Sequence, residues 1–68
     1  MKFLVEIEQE VDGRWIAEVI ELPGVMSYGK TLEEAKLRVQ ALALRVIADR
    51  IENGEAGPEL TTISFEAA

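Results

Sequence analysis

Thr31-Leu32-Glu33-Glu34-Ala35 opens the stretch on which the fold of this chain turns. A threonine followed three residues later by a glutamate is the capping-box pattern. The hydroxyl accepts a hydrogen bond from an otherwise unpaired amide, and the carboxylate reaches back to another. Glu33 and Glu34 also suit the positive end of the helix dipole. Helix formers then continue without proline or glycine to about Glu52, with Arg45 and Arg50 toward the negative end, and Asn53-Gly54 supplies a left-handed stop. The spacing predicts one long helix over about 31–52.

That helix carries two apolar stripes. At about 100° per residue, Leu32, Ala35, Val39, Leu42, Ala43 and Val46 fall on one face, which can cover a sheet. Leu37, Ala41, Leu44, Ala48 and Ile51 recur at alternating steps of four and three on roughly the opposite face. So short a chain has one sheet to offer, so the second stripe is the candidate interface for another chain. The alternative is that the closing strand or tail folds over it.

Before the helix, apolar and charged residues alternate from Lys2 to Val11, with Phe3, Val5, Ile7 and Val11 on one side and Lys2, Glu6, Glu8 and Glu10 on the other. This is the period of a half-buried strand. Asp12-Gly13 signals a hairpin, and Trp15 to Ile20 resumes the alternation. The register of that turn decides whether Trp15 or Ile16 shares the side of Phe3. Leu22-Pro23-Gly24 ends the second strand, and Val25 to Tyr28 reads as a short third one closed by Gly29. Beyond the helix, 53–59 reads as a turn or linker, and 60–66 has the β-branched and aromatic composition of a last strand. The fold expected is α+β, in the order ββ(β)αβ: one domain over 1–68 with a three-stranded antiparallel sheet, one long helix and a further short strand.

Composition narrows the function. The 68 residues include no cysteine and no histidine, which removes disulfides, the usual zinc ligands and every Ser/His or Cys/His nucleophilic pair. The net charge of -6 disfavours direct nucleic-acid binding and favours a basic partner. Residues 1–29 carry six acids and two bases, whereas 30–52 carry four acids and five bases, so the acidity lies in the sheet. The start of the chain breaks into charge too early for a signal peptide or membrane span, and a cytoplasmic location is expected. A domain this small buries a modest core, and association into a dimer or tetramer would supplement it.

Two motifs suggest chemistry. Gly24-Val25-Met26-Ser27-Tyr28-Gly29-Lys30-Thr31 satisfies the P-loop expression letter for letter. The chemistry of that loop needs amides wrapped around phosphates, a magnesium-binding acid on a neighbouring strand and a parallel sheet. Bulky Val25, Met26 and Tyr28 and the short chain argue for coincidence. Glu6, Glu8, Glu10 and Asp12 recur at every second residue, and clustered acids can hold magnesium, but a single alternating row is normally the solvated face of a hairpin. No catalytic residue, cofactor or metal is therefore expected. The competing reading is a small enzyme, nucleotide-binding at Gly29-Lys30-Thr31 or metal-dependent at Glu6 and Glu8.

The landmarks Asp12-Gly13 before Trp15, Glu21-Leu22-Pro23-Gly24, and Gly29-x-Thr31-x-x-Glu34-Ala35 occur in an order and spacing that resembles the HicB family, the antitoxins of HicAB pairs, over about residues 3–52. The resemblance implies a truncated ribonuclease H-like fold. It gives Asp12, Gly13, Pro23, Gly24, Gly29, Thr31 and Glu34 a structural part, with no nucleotide at the glycines. It also implies a function: neutralisation of a small basic HicA-type toxin that cleaves messenger RNA, by covering its active surface. Fuller members carry a C-terminal DNA-binding module that has no counterpart in this sequence, so no direct DNA contact is expected. Some short members of the family are solitary, which leaves an oligomeric binding module without a toxin as a further alternative.

Overall fold

The computed structural model describes residues 1–55 and 62–68. Strand β1 (Lys2–Gln9) pairs antiparallel with β2 (Trp15–Val19), and β2 pairs antiparallel with β3 (Met26–Gly29). Helix α1 (Leu32–Glu52) follows, and β4 (Ser64–Ala67) returns to lie parallel to β1. The sheet order is β3-β2-β1-β4, so three antiparallel strands carry one parallel strand at the edge.

The β1–β2 hairpin resolves the register left open by the sequence. The amide of Glu10 donates to the carbonyl of Arg14 at 2.7 Å, and that of Gly13 to Glu10 at 2.9 Å, enclosing a three-residue loop. Gly13 sits at φ 93°, the left-handed residue that such a bulged loop requires. A two-residue loop would have placed Trp15 among the glutamates. The extra residue pairs Trp15 with Gln9 and Ala17 with Ile7, so Trp15, Ala17 and Val19 share the side of Phe3, Val5 and Ile7. Val11 is a correction: it is fully exposed in the loop and not part of the strand's apolar side. Ile20 likewise lies just beyond β2 and is exposed.

Leu22-Pro23-Gly24 forms the turn into β3. The amide of Val25 donates to the carbonyl of Leu22 at 3.0 Å, with proline and a positive-φ glycine between them, as a type II turn demands. Leu22 and Val25 anchor both ends of the turn in the core. Both carboxylate oxygens of Glu21 accept from the amide of Leu4, at 3.0 and 3.3 Å, where β2 has already turned away.

The core consists of Phe3, Val5, Ala17 and Val19 from the sheet, Leu22 and Val25 from the turn, and Ala35, Val39, Ala43 and Ile47 from α1. The helix lies over β2 and β3, and Phe65 completes the far side by stacking on Phe3 at 5.7 Å. The buried helical residues form one i, i+4 row, which is inclined to the helix axis and follows the twist of the sheet. For that reason Ile47, outside the expected stripe, is buried, while Leu42 and Val46 are only partly covered.

The last strand is shorter and later than the sequence suggests. It covers Ser64–Ala67, Thr62 and Ile63 precede it, and Leu60 and Thr61 lie outside the described residues, as does 56–59 of the expected linker. The N-terminal amine of Met1 donates to the carbonyl of Thr62, and the amide of Ser64 donates to the carbonyl of Met1, which ties the start of β1 to β4.

Candidate functional site: the open face of the sheet

The helix covers one side of the sheet, and the strand period of two assigns every even residue of β1 and β2 to the other side. Glu6 stands directly opposite Glu18, and Glu8 opposite Ile16. On β3, Met26 stands beside Glu18 and Tyr28 beside Ile16. The result is an acidic centre of Glu6, Glu8 and Glu18. Ile16 faces Glu8, Met26 and Tyr28 of β3 border the centre on one side, and Leu4 and Ile20, joined by a 3.1 Å backbone bond, lie beyond Glu6 and Glu18 along the strands. A shallow depression of about 460 Å³ runs along this face, lined among others by Glu6, Glu8, Glu10, Ile16, Glu18 and Met26.

Two features of this face run against folding stability. Like charges directly opposite each other on antiparallel strands repel, and Glu6 and Glu18 are such a pair. Ile20, Met26 and Tyr28 are each at least 40% exposed beside them. Burial against another molecule would offset the exposed apolar area, and a cationic partner would offset the repulsion. Among the described residues no group of three or more acids is arranged to hold a metal ion.

The sequence offers Glu6 and Glu8 as the metal site of the competing reading, and the structure sets them in an open row on one strand. Glu18 carries no local signal in the sequence, because its place beside Glu6 depends on the hairpin register. The P-loop expression also finds its structural meaning. Met26–Gly29, half of the eight-residue match, are not a loop but strand β3, antiparallel to its neighbour. Gly29 lies against the first turn of α1, where an added Cβ would stand 2.5 Å from the amide nitrogen of Ala35.

Thr31 is the N-cap, its hydroxyl accepting from the amide of Glu34 at 3.1 Å. The Glu34 carboxylate reaches back to the amide of Lys30 at 3.2 Å, one residue further than the capping box specifies. Arg38 bridges Glu34 at 3.2 Å and the carbonyl of Tyr28 at 3.1 Å, fastening the helix to the edge strand. Asp12 closes the hairpin loop. The amide of Arg14 donates to it at 3.0 Å and the Arg14 guanidinium at 2.8 Å, which holds its carboxyl below the usual carboxylate range. The Arg14 guanidinium lies 4.6 Å over the Tyr28 ring.

On the helix, Leu37, Ala41, Leu44, Ala48 and Ile51 are all exposed, so no described part of the chain covers the second stripe. No helix among the described residues is long and apolar enough to cross a membrane.

Among curated proteins, a UPF0150 protein of Archaeoglobus fulgidus is 37% identical over 57 residues, which span 81% of this chain and 83% of that protein. No family model matches the chain, and no solved structure matches it. That identity, extending over most of both chains, places this protein in the UPF0150 family.

Proposed function

We propose that this chain is a HicB-like antitoxin, a non-enzymatic cytoplasmic protein that binds a small basic HicA-type toxin and masks its RNA-cleaving surface. The observation that carries this reading is the open sheet face, with Glu6, Glu8 and Glu18 set between exposed apolar side chains. A ribonuclease must present cations where RNA phosphates bind, and a row of carboxylates can occupy those positions. The flanking Ile16, Met26 and Tyr28 would supply the apolar contact that electrostatics alone does not. Resemblance to HicB and membership of UPF0150 are compatible with this reading, and the residues of its motifs have structural parts that leave the face free. No cofactor and no direct nucleic-acid contact are required.

The test is calorimetric titration with a HicA-type toxin from a neighbouring reading frame, together with a messenger RNA cleavage assay. A complex that weakens as salt rises, suppresses cleavage, and is lost in Glu6→Lys/Glu18→Lys is the expected result. No complex, or one indifferent to that double substitution, would refute the proposal.

A further inference from the structure

We infer that the partner's contact with this chain continues past the acidic centre into a cleft at the β3 edge, where Lys30 and Arg14 receive a carboxylate of the partner; the inference rests on the toxin-binding reading above. The cleft, about 240 Å³, is lined by Arg14, Tyr28, Gly29, Lys30, Glu34 and Arg38, so three of the seven cations of a chain of net charge -6 stand around it. Arg38 is already engaged, bridging Glu34 at 3.2 Å and donating to the Tyr28 carbonyl, and serves as a wall. Arg14 gives Asp12 only its Nε, at 2.8 Å, and among the described residues nothing accepts from its two terminal nitrogens or from the Lys30 ammonium. Asp12 on one side and the Tyr28 ring, 4.6 Å beneath, fix the plane of that guanidinium, and the side chain is still 55% exposed. A fixed pair of N–H donors beside a free ammonium is the geometry a carboxylate accepts from.

The cleft itself selects a carboxylate over a phosphate. The amides at the start of α1 that would hold a phosphate are taken, that of Glu34 by the Thr31 hydroxyl and that of Lys30 by the Glu34 carboxylate. The Glu34 carboxylate also stands in the cleft, where it repels a dianion more than a single charge. Position selects the partner that sits on the sheet. Tyr28 belongs to both sites, beside Ile16 on the open face and in the wall of the cleft. Arg14 lies four residues from Glu18, about 13 Å at the rise of a strand. That exceeds the screening length of about 8 Å, so the acidic centre and the cleft act as separate charges. A stable interface covers about 800 Å² on each partner, roughly a sixth of this chain's 4645 Å² surface, and a footprint of that size on Glu6 and Glu18 reaches Tyr28 and the cleft beyond it. The partner therefore sets cations against the glutamates and an aspartate or glutamate against Lys30 and Arg14.

Calorimetric titration with the basic toxin tests this, because net charge and the cleft predict opposite signs. Lys30→Glu makes the chain more acidic, which by net charge alone should strengthen its attraction for a basic protein. With a carboxylate in the cleft, the same substitution should weaken the complex by about tenfold or more. Arg45→Glu, the same change of charge at an exposed position of α1 on the far side of the sheet, should not weaken it. Reversal of one toxin Asp or Glu to Lys should restore the affinity of the Lys30→Glu chain. Undiminished binding by Lys30→Glu, or equal weakening by Arg45→Glu, would overturn the inference while the loss of binding in Glu6→Lys/Glu18→Lys left the toxin-binding reading standing. No toxin complex, or one indifferent to Glu6→Lys/Glu18→Lys, would overturn both. Should Lys30→Glu fail to fold, Lys30→Gln decides by the same criterion, with a smaller loss expected.

Discussion

Single residues in this chain are constrained most tightly where strand β3 meets helix α1. Gly29 has no room for a methyl group, because the space a Cβ would need is taken by backbone of Ala35, which cannot rotate away as a flexible side chain could. Gly29→Ala should therefore destabilise the domain by about 2 kcal/mol or more through a forced shift of the helix. Thermal unfolding would register this as a fall of roughly 10 °C in a domain of this size. An unchanged melting temperature would mean that the helix sits further from β3. The sequence marks Gly29 as a strand terminator and as part of a phosphate-loop pattern. That a glycine is special there was legible, whereas the reason, close approach of two backbones, depends on how the elements pack.

Among the elements, the helix was the most legible. Its N-cap at Thr31, its end near Glu52 and the stop at Asn53-Gly54 all follow from local chemistry, and all are observed. The amide of Gly54 donates to the carbonyl of Ile51 at 3.1 Å and that of Glu55 to Arg50 at 2.8 Å, the two bonds of a Schellman cap. Thr31→Ala should lower stability by about 1 kcal/mol, and Thr31→Ser by much less, because the serine hydroxyl can still accept from Glu34. Chemical denaturation of the three proteins checks this order. The face of the helix was less legible than its ends. A fixed angular sector misses Ile47, since the buried row slants across the helix to follow a twisted sheet.

At the scale of the whole molecule, the described residues leave two surfaces uncovered on opposite sides, one apolar and nearly neutral, the other acidic. The 41 Å length of the domain against 16 to 19 Å in its other dimensions reflects one helix laid on one sheet. If the acidic face is kept for a partner, relieving its internal repulsion should stabilise the free protein while impairing its use. Glu18→Gln should raise the urea midpoint, by a stability increment of about 0.5 kcal/mol, and weaken binding of the proposed toxin. A loss of stability in that variant would mean that Glu18 is not strained by Glu6.

The sequence by itself determined the elements, their order and the ends of the helix, because capping, turn chemistry and the periods of two and 3.6 act within a few residues of the chain; it did not determine the bounds of the last strand, expected over 60–66 and observed at Ser64–Ala67. It also determined the acidity of the sheet and the existence of two helical stripes. Only the tertiary structure decided which strand residues share a face. One extra residue in the Glu10–Arg14 loop sends Trp15 to the core and Glu18 to the side of Glu6. Only the tertiary structure, too, placed β4 parallel to β1, since that pairing spans the whole chain and leaves no local mark. The candidate site belongs to this second kind. Its glutamates come from two strands, and their meeting is a property of register, which sequence separation hides and strand pairing fixes.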